Sequence, residues 1–180
     1  GADYCDSGFW TDDGVYPLET ESGLPYTLER QAQFILSLQP EAVFYIDLAS
    51  AVPLAWSQKY PKEMQTDEDG KLYREPCLAS ERYLRDLRRF LEHLVQYVET
   101  REWGSRNVGY KILPYCEGLL ALTTAGKLFD CSPAAQEGFR AWVRNRYATV
   151  EALRRAWNDP RITFENVEVP RDRDWRARRE

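Results

Sequence analysis

Two rhythms of apolar residues alternate along the chain. Leu28, Ala32, Ile35 and Leu36 recur at helical spacing through Tyr26 to Leu38, with Thr27 placed to cap the start and Pro40 to end the helix. The run Ala42 to Leu48 (AVFYIDL) that follows is apolar nearly throughout and predicts a strand buried on both faces, interrupted by Asp47 near its C-terminal end. Ala49 to Ala79 reads as one long connection holding Pro53, Trp56, Tyr60, Pro61 and the turn Asp67-Glu68-Asp69-Gly70. Ser80 then caps a helix over Glu81 to Arg101. Its buried stripe is Tyr83, Leu84, Leu87, Phe90, Leu91, Leu94, Val95 and Val98, with His93 off the stripe and at the surface.

A second apolar run, Val108 to Leu113, predicts a strand closed by Pro114. A loop from Pro114 to Cys131 follows. Ser132-Pro133 pairs a capping serine with a proline at the first helical position, and that helix runs to about Tyr147, burying Phe139, Trp142 and Val143. Thr149 caps a further helix, with Glu151 in its first turn, which Asn158-Asp159-Pro160 stops. Phe139, Trp142 and Trp157 read as one core set, Ile162 to Val169 as a short extended piece and the end as a tail. Residues 1–25 have no sustained period and read as irregular, with Phe9 and Trp10 as anchors. The order is α-β-α-β-α-α. Strands separated by helices of this length imply a parallel sheet, so the fold class is α/β. Two strands are too few for a complete domain of that kind: either further strands escape the pattern, or 1–180 is a single partial domain of a larger barrel.

Composition narrows the partners. The 180 residues are 43% apolar and 29% charged, a globular balance, and the net charge of −5 argues against nucleic acid or an anionic membrane. No apolar run is long enough to span a bilayer, and no leader peptide is recognisable. Six Trp and eleven Tyr leave rings over for binding surfaces. Cys5, Cys77, Cys116 and Cys131 are widely spaced without a CxxC, so free thiols in a reducing, cytoplasmic setting are expected, with secretion the alternative.

The chemistry centres on Val108 to Gly118. In parallel α/β sheets the residues just past a strand's C-terminal end face the ligand crevice, and here a lone carboxylate, Glu117, stands there. It is a candidate proton donor, or an exposed loop acid. Asp47 is a second candidate at a strand end, its alternative being a partner for an arginine such as Arg74. Trp56 reads as a sugar-stacking platform or as a ring covering a barrel end. Tyr115 is placed to hydrogen-bond a substrate or to pack.

Three segments in order resemble glycoside hydrolase family 42, the β-galactosidase-like (β/α)8 barrels. Pro53-x-x-Trp56-x-x-x-Tyr60-Pro61 is similar to the family's loop after the third strand. Gly109-Tyr110-x-Ile112 leading to Glu117 is similar to its fourth strand and acid/base glutamate. Cys131-Ser132-Pro133-Ala134-Ala135, then Phe139-Arg140-x-Trp142-Val143, Tyr147-x-Thr149-x-Glu151-x-Leu153 and Ala156-Trp157, is similar to the helical segment that follows. The resemblance spans Tyr26 to Pro170 and implies a segment of a TIM barrel covering about the second to fourth strand–helix units.

It also implies retaining hydrolysis of a β-linked glycoside such as a β-galactoside. Glu117 would be general acid/base, and a nucleophilic glutamate would lie on a later strand outside this chain. Trp56, Tyr115, Cys116 and Asp47 would line the substrate. No cofactor and no metal are implied: of the four cysteines that bind structural zinc in some members, only Cys77 has a counterpart. The partner is a carbohydrate, with homo-oligomerisation of the full-length protein left open. Cys116 stands where most relatives place an asparagine before the acid, and Gly118 with Leu119 to Leu122 replaces an aromatic. The loss of that asparagine favours the first alternative, a catalytically silent, carbohydrate-binding relative of the same fold; the second alternative is a scaffold unrelated to sugars, its aromatics serving a protein interface.

Overall fold

The computed structural model describes residues 28–49, 52, 54–113 and 126–177, with side chains described for 28–46, 52, 56–111 and 126–174. Those residues sort into two compact units, one of residues 28–58 with 85–113, the other of 59–84 with 126–177.

The first unit is built on two parallel strands, β1 (Phe44–Ala49) and β4 (Asn107–Leu113), in register from Tyr45 opposite Gly109 to Ala49 opposite Leu113. Helices α1 (Leu28–Leu38) and α3 (Glu81–Glu99) cover one face. Ile46 of β1 packs with Leu28 and Ala32 of α1 and with Phe90, Leu94 and Val98 of α3, and Trp103 closes the cluster. The i, i+4, i+8 spacing of Phe90, Leu94 and Val98 makes this stripe. Glu29 ties the helix layer together, accepting hydrogen bonds from Trp103 Nε1 at 2.7 Å and Gln33 Nε2 at 2.7 Å. Helix α2 (Leu54–Lys59) follows β1.

The parallel α/β class stands, but burial of the first strand on both faces does not. Val43 and Tyr45 are exposed, the latter at 57%. The described helices cover only the face that carries Ile46 and Tyr110. Leu84 also leaves the predicted stripe and is exposed, whereas His93 is half-buried.

The second unit shows that the long connection after β1 has structure of its own. A 3-10 turn at Pro61–Glu63 leads into an antiparallel hairpin of β2 (Met64–Thr66) and β3 (Leu72–Pro76), closed by the Asp-Gly turn, where Gly70 sits at φ +81°. Helices α4 (Pro133–Tyr147) and α5 (Val150–Trp157) start at the predicted caps: Ser132 Oγ accepts from Ala135 N and Thr149 Oγ1 from Ala152 N, both at 3.2 Å. Val143, Leu153 and Val167 are fully buried between them. Phe139 packs against this core, but Trp142 is 55% and Trp157 38% exposed, so the three rings are not one core set. Trp142 stacks on Phe139 from outside with ring centroids 6.0 Å apart, and Trp157 donates its indole N–H to Tyr147 Oη. Ile162 to Val169 forms turns rather than a strand, and the arginine-rich end holds helix α6 (Asp172–Ala177). Among the described residues no helix is long and apolar enough to cross a membrane.

Ser80 is buried and does two jobs: its Oγ accepts from Tyr83 N at 3.0 Å and donates to Glu63 Oε2 at 2.6 Å. Ser80→Ala removes the cap of α3 and one partner of Glu63, so it should destabilise the folded protein by about 1–2 kcal/mol. Urea unfolding would show a lower midpoint at unchanged slope. An unchanged midpoint would mean that neither bond contributes.

Candidate functional site

Parallel pairing sets Ala49 and Leu113 side by side at the C-terminal ends of β1 and β4. Two segments therefore leave from neighbouring strand ends: the one that runs to Trp56 and the one that runs to Glu117. Of the residues singled out in the sequence, Tyr115, Cys116 and Glu117 lie outside the described residues. Asp47 lies in β1 with its Cα in register with Lys111, and its side chain is likewise outside the described set. Trp56 is 6% exposed, and its indole N–H donates to Asp86 Oδ2 on α3 at 3.0 Å. That is the geometry of a packed, anchored ring.

The densest polar constellation lies in the second unit, where sequence reasoning placed no functional residue. Asp67 opens the hairpin turn and is buried. Its Oδ1 accepts from Asp69 N at 3.0 Å and Lys71 N at 2.9 Å, and its Oδ2 from Tyr73 Oη at 2.9 Å. Burial pushes the Asp67 carboxyl up, but the N–H groups of Lys71 and Asp69, the Tyr73 hydroxyl and the Lys127 charge outweigh it and leave it below the usual carboxylate range. Burial and the bond to Asp67 raise Tyr73 in turn. The Asp-x-x-Gly spacing of a side-chain-closed turn was the available signal.

Lys127 joins this turn to the segment after residue 125. Its Nζ is 3.2 Å from Asp69 Oδ2 and 3.8 Å from Glu68 Oε1, and the bond to Asp69 raises its pKa. Further along, Asp130 Oδ1 accepts from Thr66 N at 3.1 Å and Ser132 N at 2.9 Å, and Cys131 N donates to Thr66 O at 2.7 Å. Cys77, the one cysteine with a counterpart in the four-cysteine zinc site, is buried beside Ser132 and Asp130. Burial pushes its thiol up to about 12; the hydrogen bond with Ser132 works against this and the Asp130 charge adds to it. Among the described residues no group of three or more His, Cys, Asp or Glu is placed to hold a metal ion.

Known proteins bear on these two units. The glycoside hydrolase family 42 model, described as beta-galactosidase, matches residues 33–177. The β-galactosidase BgaA of a Thermus species is 27% identical over 142 residues, 67% of this chain and 19% of its own length. A β-galactosidase of Thermus thermophilus is 26% identical over the same extent. The chain thus spans about a fifth of the length of the curated relatives it matches. Among solved structures, the β-galactosidase of the haloarchaeon Halorubrum lacusprofundi superposes with a TM-score of 0.62 at 20% identity, over 86% of this chain and 23% of that one. That of the psychrophilic Marinomonas ef1 gives 0.61 at 22% identity, over 85% and 24%. The fold is that of a segment of a TIM (β/α)8 barrel, as the sequence resemblance implies.

The depressed ionisation of Asp67 has a pH consequence. A carboxyl whose folded pKa lies below its unfolded value contributes stability above the unfolded value, about 4, and loses it as pH falls through the folded one. Wild type should therefore exceed Asp67→Asn in stability most at neutral pH, and the gap should close as pH drops below about 4. Denaturant titrations from neutral to acid pH measure it. A gap that stays constant down to the acid end would rule out ionised Asp67 as the source.

Proposed function

The chain belongs to glycoside hydrolase family 42, and on that footing we propose that the protein hydrolyses a β-linked glycoside, a β-galactoside by preference, with retention of configuration and with Glu117 as general acid/base. The observation that supports it most directly is a family match over residues 33–177, a range that includes both strand ends and the position of Glu117.

The chemistry follows from the bond to be broken. A glycosidic oxygen leaves poorly as an alkoxide, so a carboxylic acid must protonate it as the bond to the anomeric carbon lengthens. A second carboxylate, about 5 Å away in a retaining enzyme, attacks that carbon, and the first then returns as base to activate water. Glu117, just past the end of β4, takes the acid/base role. The nucleophile belongs to a later strand, in sequence outside these 180 residues. Tyr115 and Cys116, the two residues before the acid, and Asp47 at the end of the neighbouring strand, are the residues we assign to the substrate. Trp56 acts through its anchoring to Asp86, holding the segment that follows β1. The match to β-galactosidases from two Thermus sources supports galactose as the sugar.

Cys116 favours a second reading, a carbohydrate-binding relative without turnover. A thiol is a weak hydrogen-bonding substitute for the amide most relatives carry before the acid.

The test is Glu117→Gln in the full-length protein, assayed on aryl β-galactosides of graded leaving-group acidity. Loss of the proton donor should lower kcat/KM by about 10²–10⁴ for phenyl galactoside. It should do far less for dinitrophenyl galactoside, whose leaving group departs without a proton. Equal turnover by wild type and variant on every substrate would remove Glu117 from the mechanism. A wild type that turns over none of them, yet is stabilised against heat by galactose, would establish the second reading.

A further inference from the structure

We propose that Asp86 is a positioning residue for substrate binding: through the indole N–H of Trp56 it holds α2 at a fixed place near the C-terminal end of β1. The inference rests on the glycosidase reading above, with the ends of β1 and β4 as the edge that takes the sugar. It uses no property of Glu117.

Asp86 occupies an unusual position on α3. Phe90, Leu94 and Val98 form the stripe that buries Ile46 of β1, and Asp86 lies one turn ahead of Phe90 in the same i, i+4 series. A carboxylate on the apolar side of a helix is costly unless a partner meets it. The Asp86 side chain is only 20% exposed, and its Oδ2 accepts from Trp56 Nε1 at 3.0 Å. Its Oδ1 accepts from Arg85 Nε at 3.3 Å, but Arg85 is the exposed neighbour in sequence, and such a pair contributes little. The bond to Trp56 is the one that joins two separate elements.

Helix α2 needs such a tie. Six residues make too short a helix to hold itself in water, so tertiary contacts must place it. It starts at Leu54, five residues after Ala49, the last residue of β1. Five residues span at most about 18 Å of extended chain, so α2 stays close to the strand end whatever the path between. In parallel α/β folds that end is where ligands bind. Trp56 is buried and gives a sugar no open ring face. What it gives is a fixed point.

The ties form a closed frame within one compact unit. Ile46 of β1 packs under α3, α3 carries Asp86, Asp86 holds Trp56 on α2, and α2 is joined by the chain to the end of β1. The place of α2 is thus set twice, by the chain and by the carboxylate. Without the carboxylate the chain alone remains, and α2 samples other positions. Substrate then binds only the fraction with α2 in place, and apparent affinity falls by that fraction. Saturating substrate draws the whole population back, so kcat holds. The size of the effect is limited by what the tie contributes, one hydrogen bond to a charged group.

In the full-length protein Asp86→Ala should raise KM for aryl β-galactosides about tenfold and change kcat less than about twofold. The factor should be equal for phenyl and dinitrophenyl galactoside, because an element that holds substrate does not sense the acidity of the leaving group. Asp86→Asn keeps an oxygen to accept from Trp56 and should bring KM to within about twofold of wild type. Trp56→Phe keeps a buried ring, deletes the donor, and serves if Asp86→Ala does not fold. It should raise KM by the same factor, and the double variant no further, since both changes remove one bond. A lower thermal midpoint at unchanged KM would make the bond purely structural and overturn the proposal, as would additive effects of the two substitutions. If wild type turns over no galactoside but is stabilised by galactose, the dissociation constant of galactose takes the place of KM, with the same rise expected. If galactosides are turned over and no variant moves KM, only this inference falls. If galactosides neither react nor bind, the glycosidase reading fails and this inference with it.

Discussion

Two neighbouring strands that run the same way cannot be joined by a tight turn. The chain must leave the C-terminal end of β1, travel back the length of the strand and re-enter beside it. Everything between Ala49 and Asn107 is that return path. The return needs a rigid rod with one apolar face, which α3 supplies through Phe90, Leu94 and Val98, and those side chains bury Ile46 and so hold β1 in place. The rod needs a defined start, which Ser80 provides by capping it and by binding Glu63. Length left over in the crossover is spent on the 3-10 turn and the β2–β3 hairpin. The same constraint puts Ala49 and Leu113 next to each other, and hence two outgoing segments at one edge.

A different economy governs the second unit. Its apolar core is small, Val143, Leu153 and Val167 with a few partly buried neighbours, and much of its order comes from carboxylates with assigned partners. Asp67 closes the hairpin turn, Asp130 ties Thr66 to the start of α4, Asp172 holds Leu128, and Glu68 sits between Lys127 and Arg173. Such bonds are directional and short in reach, so they fix backbone positions where a small core would leave latitude. They also explain why a net acidic chain tolerates four acids in so little space: each charge meets an N–H, a hydroxyl or a cation.

Much of this was legible in residue order. The serine at 132 and threonine at 149 marked helix starts to the residue, because a side-chain oxygen accepting from an N–H three residues on is a local event. The two parallel strands appeared as apolar runs. The hairpin did not, because β2 is three residues long and β3, Leu72-Tyr73-Arg74-Glu75-Pro76, has no apolar–polar alternation to tell it from loop. Trp142 and Trp157 were misread for the opposite reason. Their size suggested burial, but Phe139 had already filled the space over Val143 and Leu153, leaving the indoles stacked outside. For Trp56 residue order offered two readings, a platform or a ring covering a barrel end, and could not show the bond from its N–H to Asp86, thirty residues away in sequence.

Residue order by itself determined the starts of α3, α4 and α5, the parallel α/β class, the family and the candidate acid at 117, since periodicity, capping and motif spacing act over a few residues. Tertiary structure alone decided which charges meet. Lys127 with Glu68 and Asp69, Asp172 with Leu128, and Trp56 with Asp86 are separated by 30 to 59 residues along the chain. No local rule couples positions so far apart; the partners were chosen by where folding brought the backbone.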